Sequence, residues 1–203
     1  MTNKTRDNYH HGDLRQAVLN LARQRIDEEG AEKLSMRSLA TKIGVAHRAI
    51  YNHFSDKDAL LSAVAASGFH ELSGLLAKTK NAAGFVRTYA TFALNHRHLY
   101  TIMMNRSYVQ FEDVPELRTG ADAMIATSRA VLAPEQGSDD EKRRTVMRYW
   151  MLVHGGVGLH SSGTLKARPD EDFIKEMLAV VGLGPAPEEA SQALWSTKKE
   201  SPK

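Results

Sequence analysis

Cysteine is absent from this chain of 203 residues. Its absence removes disulfides, thiolate nucleophiles and thiolate metal sites together. A strong charge of one sign is missing too: 27 Lys and Arg stand against 24 Asp and Glu, and a net charge of +3 is too mild for a polybasic surface. No uncharged run approaches the length of a membrane span, and the opening MTNKTRDNYHHGD has no apolar stretch of the secretory kind. The expectation is a soluble, cytoplasmic protein with no membrane partner. No glycine-rich loop sits in the strand-to-helix setting that cradles phosphates, and no internal repeat or sustained heptad pattern occurs. What is present is 42% hydrophobic content, enough for a small domain and one larger core.

The apolar spacing is helical throughout, so the expected fold class is all-α. Leu14, Ala17, Val18, Leu21, Ala22 and Ile26 recur at steps of three and four, which predicts a first helix over residues 13–29 with Gly30 as its stop. Ser35 is placed to cap a second helix over 36–43, with Leu34 and Leu39 as a hydrophobic staple. Gly44 can take the left-handed conformation that turns the chain into a third helix over 46–53. Ser55 is the expected cap of a helix beginning at Asp56, with Asp58 favourable and Lys57 unfavourable near its positive end. That helix continues past Gly68 and Gly74, which argue against a straight rod. Beyond it, the patterns predict apolar helical stripes over 85–94 and 99–104, and an interruption at Val114 and Pro115. Helices follow over 116–132, 141–159 and 170–183, with a polar loop over 133–140.

A helix that reads a major groove must show base-reading side chains while a core holds its rear face. The third helix meets that requirement. Val45, Ala49, Ile50 and Phe54 can bury against Leu39, Ala40 and Ile43, leaving His47, Arg48, Tyr51 and Asn52 toward solvent. Arg48 can donate twice to guanine, and His47 or Asn52 can meet a base or a phosphate. Tyr51 and Lys57 suit backbone contacts, and the amides at a helix start accept phosphate charge. The competing reading is a solvated surface corner, with Lys57 in an ordinary ion pair.

These residues carry a resemblance. Gly44-Val45, Ile50-Tyr51, His53-Phe54 and Lys57 with Leu60 resemble the helix-turn-helix signature of the TetR family of bacterial transcriptional regulators. Ser35 to Ala40 resembles that family's second helix, and YHHGDLRQAVLNLA at residues 9–22 resembles its first. Further on, Trp150, Val153, His154 and Gly155 resemble the pattern of a WHG-type C-terminal domain. The resemblance implies an all-helical homodimer: a three-helix DNA-binding domain over 1–55, a larger ligand-binding and dimerisation domain over 56–186, and a flexible tail over 187–203. It implies contact with double-stranded operator DNA through Ser35, Ala46, His47, Arg48, Tyr51, Asn52 and Lys57. Ala46 stands where the family often has serine, and Arg48 where it often has a small residue, so operator sequence does not carry over. Gly155, Gly156 and Gly158 would let a partner backbone approach closely.

For an unknown small-molecule effector, Tyr89, Phe92, Met103, Tyr108, Met124, Trp150 and His154 are the candidate pocket residues, apolar for volume and polar for orientation. Each can equally be core. The nine histidines do not assemble a metal motif, no nucleophilic triad is identifiable, and no cofactor is expected. The expectation is a non-enzymatic, ligand-responsive repressor. The alternative is a helical small-molecule binder or enzyme that does not bind DNA.

Overall fold

A computed structural model describes residues 11–105, 112–133, 136–165 and 168–185. Tyr108 and the tail over 187–203 therefore lie outside the described residues. The described chain is all-α: α1 His11–Glu29, α2 Met36–Ile43, α3 His47–Tyr51, α4 Lys57–Leu76, α5 Ala82–Asn95, α6 Arg97–Met104, α7 Pro115–Leu132, α8 Asp139–Ser161 and α9 Asp170–Val180.

The helices sort into two compact units. Among the described residues, those up to 68 together with those within 98–119 form the first, and those within 69–97 together with those from 120 to 185 form the second. In the first unit, Val18, Ala22 and Ile26 of α1 are fully buried, as are or nearly so Leu39 and Ala40 of α2 and Ile50 of α3. Their helices pack pairwise into one small core. α6 closes it. A Cβ added at Gly68 would come within 2.7 Å of Met103 Sδ and 3.1 Å of Leu99 Cδ2, so α4 carries glycine there to let α6 approach. This explains why α4 runs unbroken through Gly68 despite the residue's poor helix propensity: packing outweighs the roughly 1 kcal/mol propensity cost.

In the second unit α5 packs against both α8 and α9. It supplies Phe85, Val86, Tyr89, Ala90, Phe92, Ala93 and Leu94 to the core, while α9 supplies Phe173, Ile174, Met177 and Leu178. α8 contributes less, with Val153 and Val157. Its start lies two residues before the expected one, because Ser138 and Glu141 form a reciprocal capping box that pulls Asp139 and Asp140 into the first turn. Pro115 occupies the first position of α7, where its missing N–H costs nothing.

α4 is long and apolar enough to cross a membrane, the single such helix among the described residues, with mean hydropathy 1.3 over its best window. More than half of that window is buried in the molecule, as expected of a core helix.

Candidate functional site

The turn between α2 and α3 is built by the backbone. Gly44 sits at φ 83° and ψ 28°, in the left-handed region. Its amide donates to the Thr41 carbonyl at 3.3 Å and to Ala40 at 3.0 Å, and the Val45 amide donates to Ala40 at 3.0 Å. That is the Schellman arrangement, which satisfies carbonyls left open at the end of α2 and reverses the chain. At the other end Ser35 is extended, and its hydroxyl accepts from the Ser38 amide at 3.4 Å. The expected cap is therefore in place.

α3 is shorter than the sequence suggests. It spans His47–Tyr51, and both the His53 and Phe54 amides donate to the Ile50 carbonyl, at 2.9 and 3.0 Å, closing it in a tight last turn. Ile50 is fully buried and Phe54 is 3% exposed. Ala46, His47, Arg48, Tyr51 and Asn52 are all exposed. The His47 and Tyr51 rings meet edge to face at 5.0 Å, so these two side chains form one rim of the exposed ridge. Ala46 begins the helix without any side-chain bond, leaving the first amides of α3 without a capping oxygen.

Lys57 is half-buried, and its Nζ donates to the Glu32 carbonyl at 3.2 Å. The ammonium is thus held beside the loop between α1 and α2, close in sequence to Ser35. The cap of α4 differs from expectation. Asp56, not Ser55, accepts the Ala59 amide at 2.8 Å, while the Ser55 hydroxyl donates to the other Asp56 oxygen at 3.0 Å. A carboxylate makes the stronger acceptor for an amide at the positive end of a helix. The Ala59 amide first, and then the Ser55 hydroxyl, hold the Asp56 carboxyl below its usual range.

Sequence reasoning missed Arg15. Its guanidinium carbon lies 5.2 Å from the centroid of the Phe54 ring, and its Nη2 donates to Glu116 Oε2 at 2.7 Å. Glu116 is 101 positions away, so no local pattern announces the pairing.

The candidate effector residues divide. In the second unit Tyr89, Phe92 and Met124 are sealed core side chains, while Trp150 is 38% exposed and stacks on His154 along the surface of α8 at 6.1 Å. Met103 is fully buried in the first unit, against Gly68. α8 carries an exposed apolar stripe of Met147, Trp150, Met151 and Leu159. A Cβ at Gly155 or Gly158 would meet nothing within 4 Å, so both lie open beside that stripe. Gly156 differs from its neighbours. A Cβ there would come within 3.0 Å of Met177 Cε and 3.6 Å of Phe173 Cζ, so its small size serves the packing of α8 on α9 within one chain.

At the far end of that helix pair, Asp170 Oδ1 accepts from Arg97 Nη2 at 2.8 Å and bonds His160 Nε2 at 2.9 Å, and the His160 ring stacks on Phe173 at 4.2 Å. Burial raises the Asp170 pKa, but the hydrogen bonds from His160 and Arg97 outweigh it and the net direction is down. Among the described residues no group of three or more His, Asp and Glu is placed to hold a metal ion.

Both halves match known families. Residues 18–64 match the model described as bacterial regulatory proteins, tetR family, and residues 82–181 match the tetracyclin repressor-like C-terminal domain. No curated protein matches the chain. Among solved structures, a protein with unknown function from Rhodococcus sp. RHA1 is 27% identical, with a TM-score of 0.69 over 88% of this chain and 100% of its own. A TetR-family transcriptional regulator from Pectobacterium atrosepticum is 20% identical, with a TM-score of 0.53 over 89% of this chain and 95% of its own. The multidrug binding protein EbrR, solved in complex with imidazole, is 18% identical, with a TM-score of 0.54 over 92% of this chain and 100% of its own.

Proposed function

This chain has the TetR-family transcriptional regulator fold, and from that premise we propose that it is a ligand-responsive DNA-binding regulator, a repressor released from its operator by a small molecule. One observation carries the reading: the ridge from His47 to Asn52 projects outward while Ile50, on the same helix, is sealed in the core. A helix held from behind with a polar front is what base reading in the major groove requires.

In this reading Arg48 donates to a guanine edge, and His47 and Asn52 lie against bases or phosphates. Tyr51 and Lys57 contact the backbone, the latter from a position already fixed by the Glu32 carbonyl. The uncapped amides after Ala46 and the start of α2 at Ser35 receive phosphate charge. The exposed α8 stripe, with Gly155 and Gly158 open beside it, supports a homodimer in which this face meets its own copy. The Trp150, His154 and Gly155 grouping on that helix supports assignment to the WHG-type subgroup.

Functionally, residues 1–55 read DNA and 56–186 bind ligand and dimerise, while the tail expected over 187–203 lies outside the described residues. The chain works in the cytoplasm, without a cofactor and without catalysis. In this reading the effector is received beside Trp150 and His154 on α8, and meets Tyr89, Phe92 and Met124 only when the core that seals them opens, the apolar members giving volume and His154 a polar handle. Met103, sealed in the first unit, and Tyr108, outside the described residues, add nothing to the geometric support. EbrR, which shares the fold, is named as a multidrug binding protein, in keeping with a small-molecule effector for this chain. The effector and the operator antagonise one another because each prefers a different orientation of the reading helices. Successive half-sites lie about 34–36 Å apart, so a modest tilt takes one helix out of its groove.

The test is retention of genomic DNA fragments by the purified chain at physiological salt. A few fragments, held far more tightly than bulk DNA, are expected. Uniform weak retention of all fragments, with turnover of some small molecule, would favour the helical enzyme alternative.

A further inference from the structure

Arg15 is held at both ends of its short planar head. Its guanidinium carbon lies over the Phe54 ring, 5.2 Å from the centroid, within cation–π reach. One edge donates to Glu116 Oε2 at 2.7 Å. A guanidinium can stack and donate at once because it is flat and its N–H groups lie in the plane. Both partners are anchored. Phe54 is 3% exposed, and its amide is bonded to the Ile50 carbonyl at 3.0 Å. Glu116 follows Pro115 in the first turn of α7 and precedes Leu117, which is fully buried.

The consequence reaches α3 through a short path. Ile50 is the buried rear of α3, and its carbonyl takes the amides of both His53 and Phe54. The Phe54 ring is thus one residue's length from a main-chain bond that closes α3, so holding the ring in place restrains the main chain at the last turn of α3 and the exposed ridge beside it. With only five residues, that helix has little internal stiffness to resist.

We propose that Arg15 is a positioning residue for α3: stacked on Phe54 and tethered by Glu116, it fixes the pose in which the ridge reads DNA, without itself touching DNA. This rests on the DNA-binding reading of α3. Its charge is already engaged by Glu116, so it does not count among the phosphate contacts.

The experiment compares the full-length wild type with Arg15→Gln, Glu116→Gln and the double variant, using a duplex chosen by selection with the wild type and a random duplex of equal length. The pair is partly exposed, so its effect is modest. Each single variant is expected to weaken binding to the selected duplex about threefold, the double variant no further, and binding to the random duplex and the salt slope are expected to stay at wild-type values. Glu116→Gln is the decisive arm. Removing a carboxylate from a DNA-binding protein should tighten binding on electrostatic grounds, whereas loss of the tether loosens it on the selected duplex alone. Tighter binding by Glu116→Gln, a salt slope reduced by about one in Arg15→Gln, or single effects that multiply in the double variant would each overturn the proposal. A wild type that discriminates between the duplexes, beside a Glu116→Gln variant identical to it, overturns this inference and leaves the DNA reading standing. A wild type that does not discriminate overturns both. Far-ultraviolet circular dichroism at the assay temperature separates loss of binding from loss of fold.

Discussion

At the scale of single residues, Lys57 and Asp56 make neighbouring but different predictions. Lys57→Ala removes a proposed phosphate contact and a bond to the Glu32 carbonyl. Binding should weaken alike on all sequences, with a salt slope smaller by about one, measured by titration against duplexes across a range of salt. Asp56 makes a prediction about pH. Its carboxyl is held low in the folded chain by the Ala59 amide and then the Ser55 hydroxyl. A depressed folded pKa means that the stabilisation is present above the unfolded aspartate value, near 3.9, and is lost as pH falls through the lower folded value. Asp56→Asn should therefore remove part of the acid sensitivity of folding, seen as urea midpoints that converge with wild type at low pH and diverge near neutrality. Identical pH profiles for the two proteins would contradict the capping role. Residue identity was legible in the sequence where the chemistry is local. Ser35, Gly44 and the alternation of Ile50 and Phe54 with His47, Arg48 and Tyr51 needed only neighbours to be read. Arg15 was not legible, because its meaning depends on Glu116, which only folding brings near.

At the scale of elements, the glycines divide by what their missing side chain would meet. Gly44→Ala meets nothing within 4 Å, yet sits at φ 83°, so its cost is backbone strain of about 1–2 kcal/mol, measurable by chemical denaturation. Gly158→Ala on α8 should behave oppositely. Within one chain the added methyl is unopposed and improves helix propensity by up to about 1 kcal/mol. If α8 faces its own copy, the same methyl should raise the dimer dissociation constant in sedimentation equilibrium while the monomer melts no earlier. A dimer unaffected by Gly158→Ala would move the interface away from this stripe. The element boundaries tell the same story of local against non-local causes. α2 begins and ends where caps and spacing place it. α8 begins early through a capping box, Ser138 with Glu141, whose spacing stood in the sequence inside a stretch that polarity marked as loop. The break between α5 and α6 at His96 has no proline or glycine to mark it, and only the polar run Asn95 to His98 separates the two apolar stripes.

At the scale of the molecule, an all-α chain with a small helix-turn-helix core was legible because hydrophobic periodicity and three local turn signals agree. The return of residues 98–119 to the first unit was not, because sequence distance hides which core a helix such as α6 will join. Leu99 and Met103 have the apolar character of either core, and only their fit against Gly68 assigns them. The proposed function of the molecule turns on α3 as a reader of bases. The most direct measurement is selection of genomic DNA by the wild type and by Arg48→Ala in parallel. Base reading by α3 predicts a two-fold symmetric motif for the wild type, with half-sites one helical turn apart, and a change of preference at one symmetric position for the variant, worth about 1–3 kcal/mol of discrimination. An identical motif from both proteins, or none from either, would contradict it.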